Sequence, residues 1–441
     1  MVKIFKATQQ KKAIGQTLDL EIERLDNNGL GVAIYKGKPV FVAETLPNEK
    51  VKVRVVEHKN KYMKAKLLSV TSMSSNRVDV QCRHFSQCGG CDLQHLSSEQ
   101  QRAFKQQKIS NLFNREGMNN LPWQSAVHDE AWKYRRKARI GVQFDKRGDA
   151  IIGFRKKLTN ELISIKTCPV LEQTLANVFV ELKSTVAQLT QYKSIGHIEV
   201  IANAERNNVV IRQLEKLTEH DRNCWLAAEQ KFDWQVFIDD GNKVSTLCSN
   251  SHIALNYALN EQLTINFRPD DFIQVNAKVN QKMVAQAIDW LALSNDEQVL
   301  DLFCGIGNFS LAMAKQCKHV IAVEGVATMT EHAKLNAKAN RIDNCQFYHA
   351  DLNADWKLQG WAKNKFDKVL LDPARAGAFE ACQQLAELKP KLILYVSCEP
   401  ASLARDSKLL LAAGYQIEKI ALIDMFSQTK HVETMVLFRQ N

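Results

Sequence analysis

The chain has 441 residues, 45% of them hydrophobic, with 18 glycines and 8 prolines, a composition that excludes a disordered or fibrous chain and, at this length, predicts two or three domains. No apolar run approaches a membrane span, and the opening "MVKIFKATQQKKAIGQ" lacks the apolar core of a secretory signal, so a cytoplasmic enzyme with no membrane partner is expected. A formal net charge of +11 favours polyanionic partners, nucleic acid before anionic membrane.

Residues 12–71 read as a small β domain. "LDLEIERL", "GVAIY", "KPVFVAE", "KVKVRVVEH" and "YMKAKLLSV" are short alternating runs separated by turn signals such as Asp26-Asn27-Asn28-Gly29. Five strands of this kind predict a small OB-like β-barrel, with lysines on its outer face suited to RNA.

Residues 74–262 read as a central α+β domain that opens with a cysteine-rich loop. Eleven cysteines in a chain without an export signal argue against disulfides and leave packing, metal binding and catalysis. "CRHFSQCGGC" supplies Cys82, Cys88 and Cys91, and Cys168 in "KTCPV" is the best fourth ligand. On spacing alone, zinc and a [4Fe–4S] cluster stand level. A helix is predicted over 97–116, with Ser97 as N-cap, Gln100 at the capping-box position and Gly117 as its stop. "WKYRRKAR" (132–139) and "FRKK" (154–157) gather cations beside Trp132, Tyr134 and Phe154, a combination expected to contact RNA.

From 263 to 441 short apolar strands alternate with helical segments: "QVLDLFC", "HVIAVEG", "CQFYHAD", "DKVLLDP" and "LILYVSC". Such alternation predicts an α/β doubly wound fold with a parallel sheet. Two further strands, "YQIEKIALIDMF" and "HVETMVLFRQ", are expected to close it as a hairpin.

"LDLFCGIGNFSL" is a strand, a glycine turn at Gly305 and Gly307, and a helix start. A dinucleotide fingerprint wants a third glycine where Ser310 stands, which disfavours NAD. Glu324, Asp351 and Asp372 end successive strands, along the rim where open α/β sheets bind ligands. Acids for a ribose and an adenine, without a pyrophosphate cradle, describe S-adenosylmethionine.

Cys398 ends the fifth strand on the same rim, one strand beyond "DPARAG". An amine acceptor usually calls for D/N-P-P-aromatic at that place, so a carbon acceptor is favoured. Uracil C5 is too weak a nucleophile to take a sulfonium methyl unaided, and a thiolate adding at C6 activates it. A base must then remove the C5 proton. Glu433 is the candidate, with His431 second. On position alone, Cys398 reads equally well as a buried packing residue.

Four ordered motifs, "DLFCGIGNFSL", "LLDPARAG", "YVSCEPASLARD" and "DMFSQTKHVE", resemble the RNA (uracil-5-)-methyltransferases, in particular the TRAM-domain, iron–sulfur enzymes of large-subunit ribosomal RNA. The resemblance implies an N-terminal TRAM barrel, an iron–sulfur central domain and a C-terminal class I methyltransferase domain. It implies Cys398 as nucleophile and Glu433 as base. It implies Gln274, Phe303, Asn308, Glu324, Asp351 and Asp372 as cofactor-binding residues, and a [4Fe–4S] cluster on Cys82, Cys88, Cys91 and Cys168. The implied partner is 23S ribosomal RNA, with the enzyme a monomer that has no protein partner. Two positions depart from the family pattern: Glu399 replaces the usual Asn, and Ser427 the usual Pro. The rival readings are the same chemistry on another ribosomal or transfer RNA uridine, and a non-catalytic RNA-binding iron–sulfur protein.

Overall fold

The structure, a computed structural model, describes residues 14–203, 205–248 and 253–441. Two compact units divide it: one runs up to Lys108 and also takes in Lys156–Thr159 and Ser427–Lys430, and the other holds the rest.

The first unit is built on six strands, Thr17–Glu21, Arg24–Leu25, Gly31–Tyr35, Lys38–Val42, Lys50–His58 and Met63–Ser72. Alternation places Val51, Val53 and Val55 inside and Lys50, Lys52 and Arg54 outside. The inner faces gather Leu18, Leu20, Ile22, Val40, Val42 and Met63 into one core. Six strands replace the five expected because "LDLEIERL" breaks after Glu21: the Ile22 N–H leaves the ladder and donates to the Glu49 carbonyl. The predicted turn at Asp26 forms, with its carboxylate accepting from the N–H groups of Asn28 and Leu30, both at 2.8 Å. The helix Ser98–Arg115 starts as read, with Gln100 N–H donating to Ser97 Oγ at 3.4 Å.

In the second unit, the central segment forms a seven-stranded sheet from Lys137–Phe144 to Val244–Thr246. Helices Val178–Val186 and Glu219–Phe232 bury Phe179, Leu182 and Trp225.

The C-terminal sheet positions the site. Its strands are β1 (Gln298–Leu302), β2 (His319–Glu324), β3 (Cys345–His349), β4 (Lys368–Leu371), β5 (Leu392–Ser397), β6 (Tyr415–Ile423) and β7 (Glu433–Gln440). They lie in the order β3-β2-β1-β4-β5-β7-β6. The first five are parallel, and β7 runs antiparallel to both β5 and β6. Every residue of β5 is buried, as expected of a parallel strand covered on both faces. Leu392, Leu394 and Val396 face a core with Met283 and Ala287 of the helix Ala277–Leu291. Ile393 and Tyr395 face the opposite core, which includes Ile109, Phe113, Leu403 and Leu410. The C-termini of the five parallel strands therefore open on one rim, where β7 begins.

Candidate active site

The rim begins where β1 stops. Phe303 takes a left-handed φ of 64°, and Gly305 and Gly307 follow at 55° and 98°. Positive φ at a bulky residue is a strained conformation that only a well-braced turn maintains. The brace is β2: Phe303 N–H donates to the Val323 carbonyl at 2.9 Å, and Gly305 N–H donates to Glu324 Oε2 at 2.9 Å. The other oxygen of Glu324 accepts from Val326 N–H, also at 2.9 Å, so this acid is locked at the end of β2. Asp351, just past β3, is exposed and accepts from Asn353 N–H.

Asn308 is fixed from two sides. It exchanges amide hydrogen bonds with Asn280 at 2.9 and 3.0 Å, and Tyr257 Oη donates to its oxygen at 3.1 Å. The Arg136 guanidinium lies 4.1 Å from the centre of the Tyr257 ring and donates to the Gln274 carbonyl. Gln274, Asn308, Asn280, Tyr257 and Arg136 thus form one network. The sequence singles out Gln274 and Asn308 for the cofactor and Arg136 only as part of a basic run, while Asn280 and Tyr257 stand in no motif.

This inward turn corrects part of the basic-patch reading. Arg136 is buried, Lys137 Nζ donates to the carbonyls of Pro269 and Asp271, and Arg139 pairs with Glu199 at 2.6 Å. The aromatics also turn in: Tyr134 is buried, and Phe154 packs edge-on against Phe179. Arg136 and Lys137 thus meet carbonyls that would otherwise be poorly paired and turn inward, whereas Arg139 stays exposed beside Glu199.

Ser310, which argued against a dinucleotide, has a positive role. Its hydroxyl makes a very short hydrogen bond to Asp301, an acid buried completely in β1. Burial pushes the Asp301 carboxyl up to about 8, the Ser310 bond opposes that rise, and the charges of Asp372 and Glu324 add to it. Asp301 went unremarked in the sequence, since an acid in an apolar strand carries no local mark of what it faces.

Cys398 lies between β5 and the helix Pro400–Ala412. Ser397 is in register with Thr434, which sets Cys398 beside Glu433 at the first residue of β7. The Cys398 thiol is pushed up to about 11, chiefly by burial, with Glu433 and Asp372 adding to the rise and Arg375 opposing it. Glu433 is buried, and both burial and Asp372 hold its carboxyl well above the ordinary carboxylate range. Burial raises Asp372 likewise. His431, by contrast, is exposed and lies edge-on to Phe426. Glu399 accepts from Ala401 N–H at 3.3 Å, so it caps the helix much as an Asn would.

The cysteine loop lies in the first unit, while Cys168 belongs to the second. Among the described residues, no three His, Cys, Asp or Glu side chains are gathered as metal ligands. The donor chemistry still fits a thiolate-ligated cluster. Burial raises the Cys88 thiol, the Gly90 N–H that donates to its sulfur at 3.4 Å opposes the rise, and a negative charge on Cys82 adds to it. Lys157 Nζ, 4.4 Å from the centre of the Phe85 ring, adds a positive charge that lowers it.

The model of the tRNA (uracil-5-)-methyltransferase family matches residues 98–441, and that of the TRAM domain matches residues 11–68. A curated protein of Colwellia psychrerythraea, named 23S rRNA (uracil(1939)-C(5))-methyltransferase RlmD, is 50% identical over 465 residues, covering 99% of each chain. A protein of the same name from Shewanella halifaxensis is 43% identical over 442 residues, again covering 99% of each. Among solved structures, the Pyrococcus abyssi tRNA (uracil-54, C5)-methyltransferase in complex with S-adenosyl-L-homocysteine shares the fold, with a TM-score of 0.74. Its identity is 24%, over 95% of this chain and 99% of that one.

Proposed function

The chain belongs to the tRNA (uracil-5-)-methyltransferase family, and from that premise we propose that it transfers a methyl group from S-adenosylmethionine to C5 of one uridine in 23S ribosomal RNA. The position is the one its relatives' names give as uracil 1939. The observation that carries this reading is the placement of a thiol and a buried carboxylate side by side, at the end of a sheet whose other strand ends carry acids.

S-adenosylmethionine supplies an electrophilic methyl on a positively charged sulfur. Glu324 is held for a ribose diol, Asp351 for the adenine amine, and Gln274, Phe303, Asn308 and Asp372 line the remainder. The target base must leave its stack to reach Cys398. The Cys398 thiolate bonds to C6, and the C5–C6 π pair shifts toward C5. C5 then bonds to the methyl carbon as the methyl–sulfur bond breaks, leaving a neutral thioether. Glu433 takes the C5 proton, the double bond re-forms, and the S–C6 bond breaks to return the thiolate. A carboxylate destabilised by burial is a stronger base, which suits Glu433 to that step.

Cys82, Cys88 and Cys91 are assigned to a [4Fe–4S] cluster; their spacing suits zinc equally, and the family resemblance favours the cluster, with the Gly90 N–H bond to Cys88 sulfur as a contact suited to a ligating sulfur. No catalytic step passes through it. Iron and acid-labile sulfide in anaerobically purified protein test this assignment, and their absence overturns it. The TRAM barrel, with its outward lysines, and the central sheet serve to grip the RNA.

The central test uses 5-fluorouracil-containing 23S rRNA with S-adenosylmethionine. Fluorine cannot leave as a proton, so a covalent adduct should persist and map to Cys398 and to one nucleotide. No adduct, or an adduct at another residue, overturns the proposal.

A further inference from the structure

We propose that Asp406 is a positioning residue for methyl transfer, clasping the loop that carries Asp372 onto the strand and helix that flank Cys398. The inference rests on the reading of Cys398 as nucleophile.

The need for a clasp follows from the ladder. β4 and β5 pair in register only as far as Leu371 and Tyr395. Asp372 and Cys398 lie beyond that last pair, so no ladder bond between the two strands fixes their separation. Side chains on the helix Pro400–Ala412 supply what the ladder lacks. Ser402 Oγ lies between the Arg375 and Glu399 carbonyls, at 3.1 and 3.0 Å, with one hydrogen to share, and Arg405 Nη2 donates to the Ala376 carbonyl at 3.0 Å. Ala378 N–H donates to Asp406 Oδ2 at 2.8 Å. The Tyr395 hydroxyl, from the strand that leads to Cys398, donates to the same oxygen at 2.8 Å. Arg405 occupies the other oxygen, Oδ1, at 2.8 and 2.7 Å.

One fully buried carboxylate therefore gathers the loop, the strand and the helix. The fit is close: Gly377 has a φ of +84°, and a Cβ there would stand 2.6 Å from Asp406 Oδ2. Every partner of Asp406 is a donor. An amide at 406 would turn an NH2 group toward one of them and break the clasp. The methyl group, held on the Asp372 side, must meet a pyrimidine bonded to Cys398. A displacement of about 1 Å at such a junction costs roughly 10²-fold in rate.

The test compares full-length wild type with Asp406→Asn and Tyr395→Phe. The measurements are kcat and KM for methyl transfer, the Kd for S-adenosylhomocysteine, and cofactor-independent exchange of the uracil C5 hydrogen with solvent, which reports thiol addition alone. The expected result is a fall in kcat of about tenfold for Tyr395→Phe and about 100-fold for Asp406→Asn, with KM, Kd and exchange within about threefold of wild type. Wild-type kcat in Tyr395→Phe overturns the proposal. So does a loss of exchange, binding and transfer in equal proportion, which would mean fewer folded molecules. If Asp406→Asn does not fold, Tyr395→Phe decides. A Cys398→Ala control that still exchanges and transfers would defeat the nucleophile reading, separately from any result at Asp406.

Discussion

Ser397 of β5 is the register partner of Thr434 of β7, and this pairing brings Cys398 beside Glu433 although 34 residues separate them in the chain. An antiparallel strand inserted next to a parallel one is what completes the site. β7 enters the rim from the direction opposite to β5, so its first residue meets the residue after β5's last.

Cys398→Ala is expected to lower methyl transfer by roughly 10³-fold or more, as removal of a covalent nucleophile does. S-adenosylhomocysteine affinity should stay near wild type, because the proposed mechanism gives the thiol no contact with the cofactor. Transfer of labelled methyl to rRNA and calorimetric binding measure the two arms. Full transfer by the variant would refute the covalent route.

Glu433→Gln keeps the shape of the side chain and removes the carboxylate proposed as the base. Turnover should fall by about 10²- to 10⁴-fold, and a methylated RNA–protein adduct should accumulate on ordinary uracil, visible as a slow band on denaturing gels. If the variant turns over slowly with no adduct, Glu433 acts before the methyl transfer and not after it.

Arg375 lies on the exposed side of "DPARAG", and its charge lowers the Cys398 thiol that burial, Glu433 and Asp372 raise to about 11. Arg375→Ala should therefore move the alkaline-rising limb of C5-hydrogen exchange to higher pH. Each pH unit of displacement costs about tenfold in thiolate at neutral pH. Asp372→Asn removes a negative neighbour and should move the same limb the other way. Two limbs that coincide with wild type would show that neither charge governs the thiol.

Asp301 links pH to stability. Its carboxyl ionises near 3.8 when unfolded and is pushed up to about 8 in the fold, so between those values the folded chain holds a proton that the unfolded chain lacks. The sign follows: this contribution is complete below about pH 4 and is lost as pH rises through about 8. Thermal melts of the ligand-free protein should fall from pH 6 to pH 9, and Asp301→Asn, with no proton to lose, should fall less. Parallel curves for the two proteins would sink the assignment. S-adenosylmethionine, bringing a positive sulfur near these acids, should flatten the wild-type curve more than neutral S-adenosylhomocysteine does.

Much of this was legible in the sequence where the signal is local. The glycine turn after β1, the acids at the ends of β2, β3 and β4, the thiol after β5 and the cap of the helix from Ser98 each follow from a few adjacent residues. The pair of β-strands that closes the chain was legible as well. That β7 slips between β5 and β6 was not, and that insertion is what separates a buried Glu433 from an exposed His431. Charge could be counted along "WKYRRKAR", but not its direction: Arg136 and Lys137 turn inward because carbonyls of the 268–276 segment wait there.

The amino-acid order by itself determined which chemical groups exist and which local elements carry them: strand ends bearing acids, a turn needing glycine, a sulfur after an apolar run. Only the tertiary structure decided that β7 runs back beside β5 and sets Glu433 next to Cys398, that Ser310 answers a buried Asp301, and that Asp406 spans a gap the ladder leaves open. The division has a physical cause. Propensity, capping and turn geometry act over a few residues and leave a mark there, whereas strand order, register and burial arise from contacts between residues far apart in the chain, and a side chain takes its charge state and its partner from those.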